Sequence, residues 1–159
     1  MNIRPIEETD WHAILHIQNM VYGNDIPESE AVLRSKIQLG NETCLVITDP
    51  EHRVIGYCLS HPWTAKPASL HTIYTKLSHS SLLYIHDIAI TPSYAGKGLG
   101  YKVLHYLTTW AQAHDFSQLS LVSLAQAVTY WRRQGFEPTD YKINELEYGQ
   151  GSCHMLKQI

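Results

Sequence analysis

At 159 residues, with a formal net charge of −3, 17% charged residues and 44% hydrophobic ones, the chain has the size of one domain around a single sizeable core. That balance carries no basic footprint for nucleic acid. The opening MNIRPIEETDWHAI lacks a basic start followed by an apolar run, and no stretch reaches the length of a membrane span, so a cytoplasmic location is the expectation.

Residues Asn2 to Ile6 read as a short strand. Thr9 or Asp10 then suits the N-cap of a helix carrying Trp11, Ile14, Leu15 and Gln18 through Val21. Ser29 to Leu39 suits a second helix. Thr43 to Thr48 and Val54 to Ser60, rich in Val, Ile, Leu and Tyr and joined by the turn-prone DPEHR, read as a hairpin that His61 and Pro62 end. From Trp63 to about His79 no period is evident, which predicts a long loop of the kind that serves a ligand. Leu82 to Ile90 is a strand, Gly100 to His114 a helix with Val103, Leu104, Leu107, Trp110 and Ala111 on one face, and Leu119 to Leu124 a buried strand. A shorter helix, Gln126 to Gln134, is stopped by Gly135, and Ser152 to Ile159 alternates as a last strand. This order implies one α/β domain over residues 1–159 with a mixed sheet flanked by helices.

Cys44, Cys58 and Cys153 lie far apart without CxxC spacing and read as buried reduced thiols. Of ten histidines, His12 and His16 are one helical turn apart but lack the Glu of an HExxH site, so they read as surface residues and no metal is expected.

The chemistry concentrates in YIHDIAITPSYAGKGLGYKVLHYLTTWA, Tyr84 to Ala111: an apolar strand, a turn with Pro92, glycines at 96, 98 and 100, then an amphipathic helix. Glycine lets backbone approach a ligand closely, and the first N–H groups of a helix are unpaired at the positive end of its dipole. A pyrophosphate fits there without a basic side chain. A dinucleotide-binding fold is the rival reading, but the glycines run G-x-G-x-G where that fingerprint is G-x-G-x-x-G. Asp115 also precedes the next strand, where the ribose-binding acid should end it.

These residues resemble the GCN5-related N-acetyltransferase (GNAT) superfamily of acyl-CoA-dependent acyltransferases, over nearly the whole chain. ITPSYAGKGLG resembles its cofactor signature through Ile90, Pro92, Gly98 and Gly100, and AVTYWRRQGFEP its second, an Ala before an aromatic pair with a closing Gly-Phe. The resemblance implies acetyl-CoA as acyl donor and a splayed strand pair in which Ile88, Ala89 and Ile90 pair with the pantetheine arm. Ala95, Gly96, Lys97, Gly98, Leu99, Gly100 and Tyr101 would then hold the pyrophosphate, with Trp131 near the thiol. Two positions depart from it. Ala95 stands where the family usually has Gln or Arg, and Trp131 where many members carry the tyrosine that protonates the leaving thiolate, a task an indole N–H cannot perform. Tyr130 is rotated from that position by about 100° on a helix.

Acetyl transfer to an amine also needs a base. Strand alternation sends Tyr84, His86 and Ile88 to one face and Ile85, Asp87 and Ala89 to the other, so His86 and Asp87 point apart. His86, with imidazoles at this position and that of Tyr84 in some arylalkylamine-type members, is the candidate proton relay; its other reading is a bond that fixes the strand. Asp87 either holds the acceptor's ammonium group or satisfies a loop N–H or an Arg, and Tyr84 either lines the acceptor pocket or packs. Trp63, His71 and Tyr74 in the long loop suit an aryl or alkyl amine, which favours a small-molecule acceptor over a protein. The expected reaction is direct attack in a ternary complex, with no cysteine placed as a covalent relay. A catalytically inactive acyl-CoA sensor is the alternative. Members of the family are often homodimers, and nothing in the sequence identifies an interface.

Overall fold

The protein is described by a computed structural model over residues 1–23, 27–75 and 79–159. Strands β1 (Asn2–Pro5), β2 (Leu45–Thr48), β3 (Val54–Trp63), β4 (Leu82–Ile90), β5 (Gln118–Ser123), β6 (Glu137–Pro138) and β7 (Cys153–Gln158) form one sheet in the order β1-β2-β3-β4-β5-β7-β6. Only β4 and β5 run parallel; the neighbouring pairs are antiparallel. Helices α1 (Trp11–Tyr22) and α2 (Glu30–Leu39) cover one face, and α3 (Leu99–Ala113) and α4 (Val128–Arg133) the other. Strand alternation feeds the two layers. Leu45, Ile47, Leu83, Ile85, Leu119 and Leu121 pack with Val103, Leu104 and Leu107 of α3, while Val46, Tyr57, Leu59 and Ala89 pack with Trp11, Ile14 and Ile17 of α1. Each such side chain contributes about 1.5–3 kcal/mol by leaving water.

The predicted mixed sheet and its helices are present, with local corrections. β3 does not end at His61 and Pro62: both lie inside it, paired with Tyr84 and Leu83. Pro62 is tolerated near the strand's end, where one missing N–H costs the ladder little. The helix after β5 begins as a 3₁₀ turn, Ala125–Ala127, before α4, and Gly135, with φ of 87°, ends it. A short helix α5 (Glu145–Tyr148), capped by the Asn144 side chain, was not expected, being too short to leave a period, and the return of the chain to the sheet after Gly135 is made by the two-residue β6. Asp10 does not cap α1 through its side chain; its carboxylate accepts from Glu7 N–H and, bidentately, from Arg4. Cys44 and Cys58 are buried free thiols, but Cys153 is only half-buried.

The bend that matters lies in β4. Leu59 pairs with Asp87 and Ser60 with Ile85, which leaves His86 as the extra residue of a β-bulge. Alternation therefore changes phase there. Leu83 and Ile85 face α3, as do Ile88 and Ile90, whereas His86 and Asp87 both contact groups on the α1 and α2 side. The expectation that His86 and Asp87 point apart, with Ile88 beside His86, is corrected by this one inserted residue.

Candidate active site

β4 and β5 part company after four residue pairs. Their ladder runs from Leu82↔Gln118 to Ile85↔Leu121 and stops, although β4 continues to Ile90 and β5 to Ser123. Thr91 N–H donates to Ile55 C=O across β3, so by alternation the N–H and C=O groups of Ile88 and Ile90 face away from β3 into the opening. A cavity of about 360 Å³ fills that opening, walled by Ile85, Ile88 and Ile90 of β4, Leu121 and Val122 of β5, and Leu124, Ala127, Tyr130 and Trp131 beyond it. Gln18, Tyr22, Glu28, Leu70 and Tyr148 close the far side.

At one end the chain turns from β4 into α3. Pro92–Tyr94 make a 3₁₀ turn, Gly96 and Gly98 both take φ of 74°, and Gly98 caps α3 without any side-chain bond to its first N–H groups. A side chain at a positive φ is strained, and among the described residues no atom beyond the chain neighbours lies within 4 Å of where a Cβ on either glycine would sit, so the space there is open. The first turn holds no acidic residue. This end can accept a phosphate through backbone donors and the helix dipole. Ala95, Gly96 and Lys97 are exposed on this turn, with Lys97 Nζ 4.3 Å from the centre of the Tyr94 ring; Leu99 is buried and Tyr101 exposed on α3. Gly100 has a separate reason: a Cβ there would stand 2.8 Å from Tyr130 Oη, so the phenol lies against the first turn of α3. Tyr130 and Trp131 both line the cavity despite their helical offset, because α4 crosses it; Trp131 also packs edge-on against Phe136 at 5.3 Å.

At the other end lies a set of buried polar groups that the sequence did not announce. Glu28, between α1 and α2, is 6% exposed, and its carboxylate stands 2.7 Å from His86 Nε2 and accepts His71 N–H at 2.7 Å. His71 reaches it by taking φ of 53°. Gln18 of α1 holds the Glu28 backbone from both sides, donating to its C=O at 2.9 Å and accepting its N–H at 3.0 Å. Burial pushes the Glu28 pKa up, but the His86 bond and charge, the His71 N–H and the Lys36 charge outweigh it, and the net shift is downward. The Glu28 carboxylate accepts from His86 Nε2–H, and the other ring nitrogen, Nδ1, is buried and has no hydrogen-bond partner among the described residues. Lys36, itself buried, donates to Thr72 C=O at 2.7 Å, and its pKa falls to about 8 through burial, opposed by the Glu28 charge.

Asp87 accepts hydrogen bonds from Tyr22 Oη and Tyr57 Oη. Burial raises its pKa and the two phenol bonds only partly offset this. Alternation along the sequence sets Tyr84 and His86 on one face and Asp87 on the other; the structure instead brings His86 and Asp87 together and leaves Tyr84 aside. His86 and Asp87 line the cavity, whereas Tyr84 is 1% exposed, lies outside the cavity wall and packs with Ala68, Leu82, Trp63 and Tyr74. Trp63 and Tyr74 pair their rings at 4.4 Å in that cluster and do not line the cavity. From the long loop, Leu70 lines the cavity and His71 lends a backbone N–H. Ala89, expected to offer backbone to a ligand, turns its side chain into the α1 core and pairs with Tyr57.

Solved structures share this architecture. Ard1 from Thermoplasma volcanium superposes with a TM-score of 0.77 at 12% identity over 99% of this chain and 97% of that one. The ribosomal-protein-S18-alanine N-acetyltransferase from Escherichia coli gives 0.70 at 19% identity over 99% and 93%. A phosphinothricin acetyltransferase from Sinorhizobium meliloti, solved with AcCoA, gives 0.70 at 20% identity over 99% and 88%. At these identities the likeness establishes the fold, and no curated protein matches by sequence. The model of the acetyltransferase (GNAT) family, however, matches residues 11–136, and with the parted strands and the glycine turn in place the chain belongs to that family.

Proposed function

We propose that the protein is an acetyl-CoA-dependent N-acetyltransferase whose acceptor is a primary amine, a small molecule in preference to a protein. Membership of the family makes acetyl-CoA the cosubstrate. The observation that carries the reading is the half of β4 beyond Ile85 that has no strand partner on its β5 side, set between an uncapped helix start and a buried base. Ile88 and Ile90 offer an N–H and a C=O each to an extended ligand arm, as an added strand would. The Ile88 N–H, the nearer of the two to His86, is a fixed donor for the oxygen on which negative charge develops. Gly96 to Tyr101 hold the pyrophosphate, with Tyr130 Oη beside them.

Bound acetyl-CoA supplies an acyl group activated as a thioester. The chain's own task is the proton. His86 Nδ1, with Nε2–H held by Glu28, accepts it from the amine through water. The nitrogen forms its bond to the acyl carbon, the carbon–sulfur bond breaks, and the amide, the free thiol and one proton leave. Asp87, tied to two phenols, is a second carboxyl beside the same site. No cysteine lines the cavity, in keeping with direct attack.

Trp131 and Ala95 favour a second reading, an acyl-CoA sensor, since neither can supply the side-chain acid or the pyrophosphate donor usual in the family. Titration calorimetry with acetyl-CoA, with NAD as control, followed by thiol release with a pooled amine library, decides between them. Binding with amine-dependent thiol release is expected. Binding without release from any amine leaves the sensor, and preference for NAD overturns both readings.

A further inference from the structure

The acceptor end of the cavity has a chemistry of its own, and it narrows the amine proposed above. Among the described residues that line the cavity, the side chains of formal charge are Glu28 and Asp87, both carboxyls; no Lys or Arg is among them. Lys36, a buried cation, does not line the cavity; its Nζ is bonded to Thr72 C=O and lies 4.3 Å from the centre of the Tyr74 ring. The remaining wall here is Val21, Tyr22, Leu70 and Tyr148, apolar or aromatic. Two hydrogen bonds brace that wall: Tyr148 Oη donates to Ala68 C=O at 2.7 Å, and Leu70 N–H donates to Glu147 Oε2 at 3.3 Å, joining the segment before β7 to the segment before β4.

We infer that the acceptor is a small organic cation with an apolar body and no carboxylate next to its amine. The inference rests on the transferase reading and adds to it. An ammonium group approaching His86 enters a negative field that concentrates it. An α-amino acid carries its carboxylate two bonds from the attacking nitrogen, so the anion is brought to within a few ångströms of Glu28 with no Lys or Arg among the described lining residues to meet it. A neutral carboxamide at the same place has no such penalty. A peptide amino terminus is likewise free of the carboxylate, but its chain must pass the wall that Leu70 and Tyr148 close.

The test uses matched probes that differ by one carboxylate: phenethylamine against phenylalanine, and 3-methylbutylamine against leucine, with phenylalaninamide as the neutral control and an Ala-headed tetrapeptide as the polymer probe. Thiol release gives kcat/KM for each, and calorimetry on the protein saturated with CoA gives acceptor binding independently of turnover. Each amine is expected to exceed its amino acid by at least about 100-fold, the amide to recover at least tenfold over phenylalanine, and Glu28→Gln to narrow the binding ratio at least tenfold. Amino acids equal to their amines, a tetrapeptide better than every small amine, or no binding of any probe to the CoA-saturated protein would each overturn the inference while leaving the transferase standing. Failure of acetyl-CoA itself to bind removes the transferase reading and the inference with it.

Discussion

Replacing Glu28 by Gln asks one buried contact to explain both the stability and the activity of the site. The Glu28 and His86 side chains are 4% and 1% exposed and meet at 2.7 Å, so solvent cannot substitute for either partner. Glu28 also accepts His71 N–H, which means its two oxygens face two donors. A glutamine has one oxygen. If it accepts from His71, its NH2 donates to His86 Nε2 and forces the imidazole proton onto Nδ1, removing the base. If it accepts from His86, its NH2 faces the His71 N–H and a buried donor is left unpaired. The second arrangement costs about 1–3 kcal/mol, so the first is favoured and the base is lost. Thiol release at saturating acetyl-CoA should then fall about 10²- to 10⁴-fold, with acetyl-CoA affinity unchanged because Glu28 lies at the other end of the cavity. Loss of the carboxylate's charge-assisted hydrogen bonds, about 1 kcal/mol, should lower the thermal midpoint by roughly 2–4 °C at neutral pH. The Glu28 pKa is depressed in the fold, so its stabilisation is present above the unfolded carboxyl range and is lost as pH falls through the folded value; the difference between the two proteins should vanish in acid. A variant with unchanged kcat and a pH–rate profile superimposable on that of the parent would refute the assignment of His86 as a base oriented by Glu28.

Asp87 has the opposite sign. Its pKa is raised, so it favours the fold below the unfolded value and penalises it as pH rises through the folded one; Asp87→Asn should flatten that loss, measured as denaturation midpoints from pH 4 to 8. Gly98→Val should abolish acetyl-CoA binding by calorimetry and destabilise the fold by about 1–2 kcal/mol, the cost arising from φ of 74° and not from a protein clash. Gly100→Ala should weaken acetyl-CoA binding severalfold by displacing Tyr130 Oη, and Gly100→Ala in a Tyr130→Phe background should lose little further; equal losses in both backgrounds would separate the two residues.

The apolar runs of β2, β4, β5 and β7, the amphipathic stripe of α3 and the glycine turn ahead of it are local patterns, and the sequence by itself determined them: a period of two or 3.6 and a residue without a Cβ act over a few neighbours. The glycine-turn end of the cavity was legible for that reason. The acceptor end was not. Glu28 stands in PESE, where it reads as an acid preceding a helix, and its meeting with His86 spans 58 residues; Asp87 meets Tyr57 across a strand pair and Tyr22 from a helix 65 residues away. No local spacing encodes such encounters. The bulge at His86 shows the point most sharply: strict alternation is an ideal ladder's property, and only the register with β3 decides which residue is skipped. The same is true of Trp63 and Tyr74, whose aromatic rings suggested a ligand in the sequence and close a small core in the fold. Burial, and with it the direction of each pKa shift, belongs to the tertiary structure, because desolvation is set by what packs around a group and not by what precedes it in the chain.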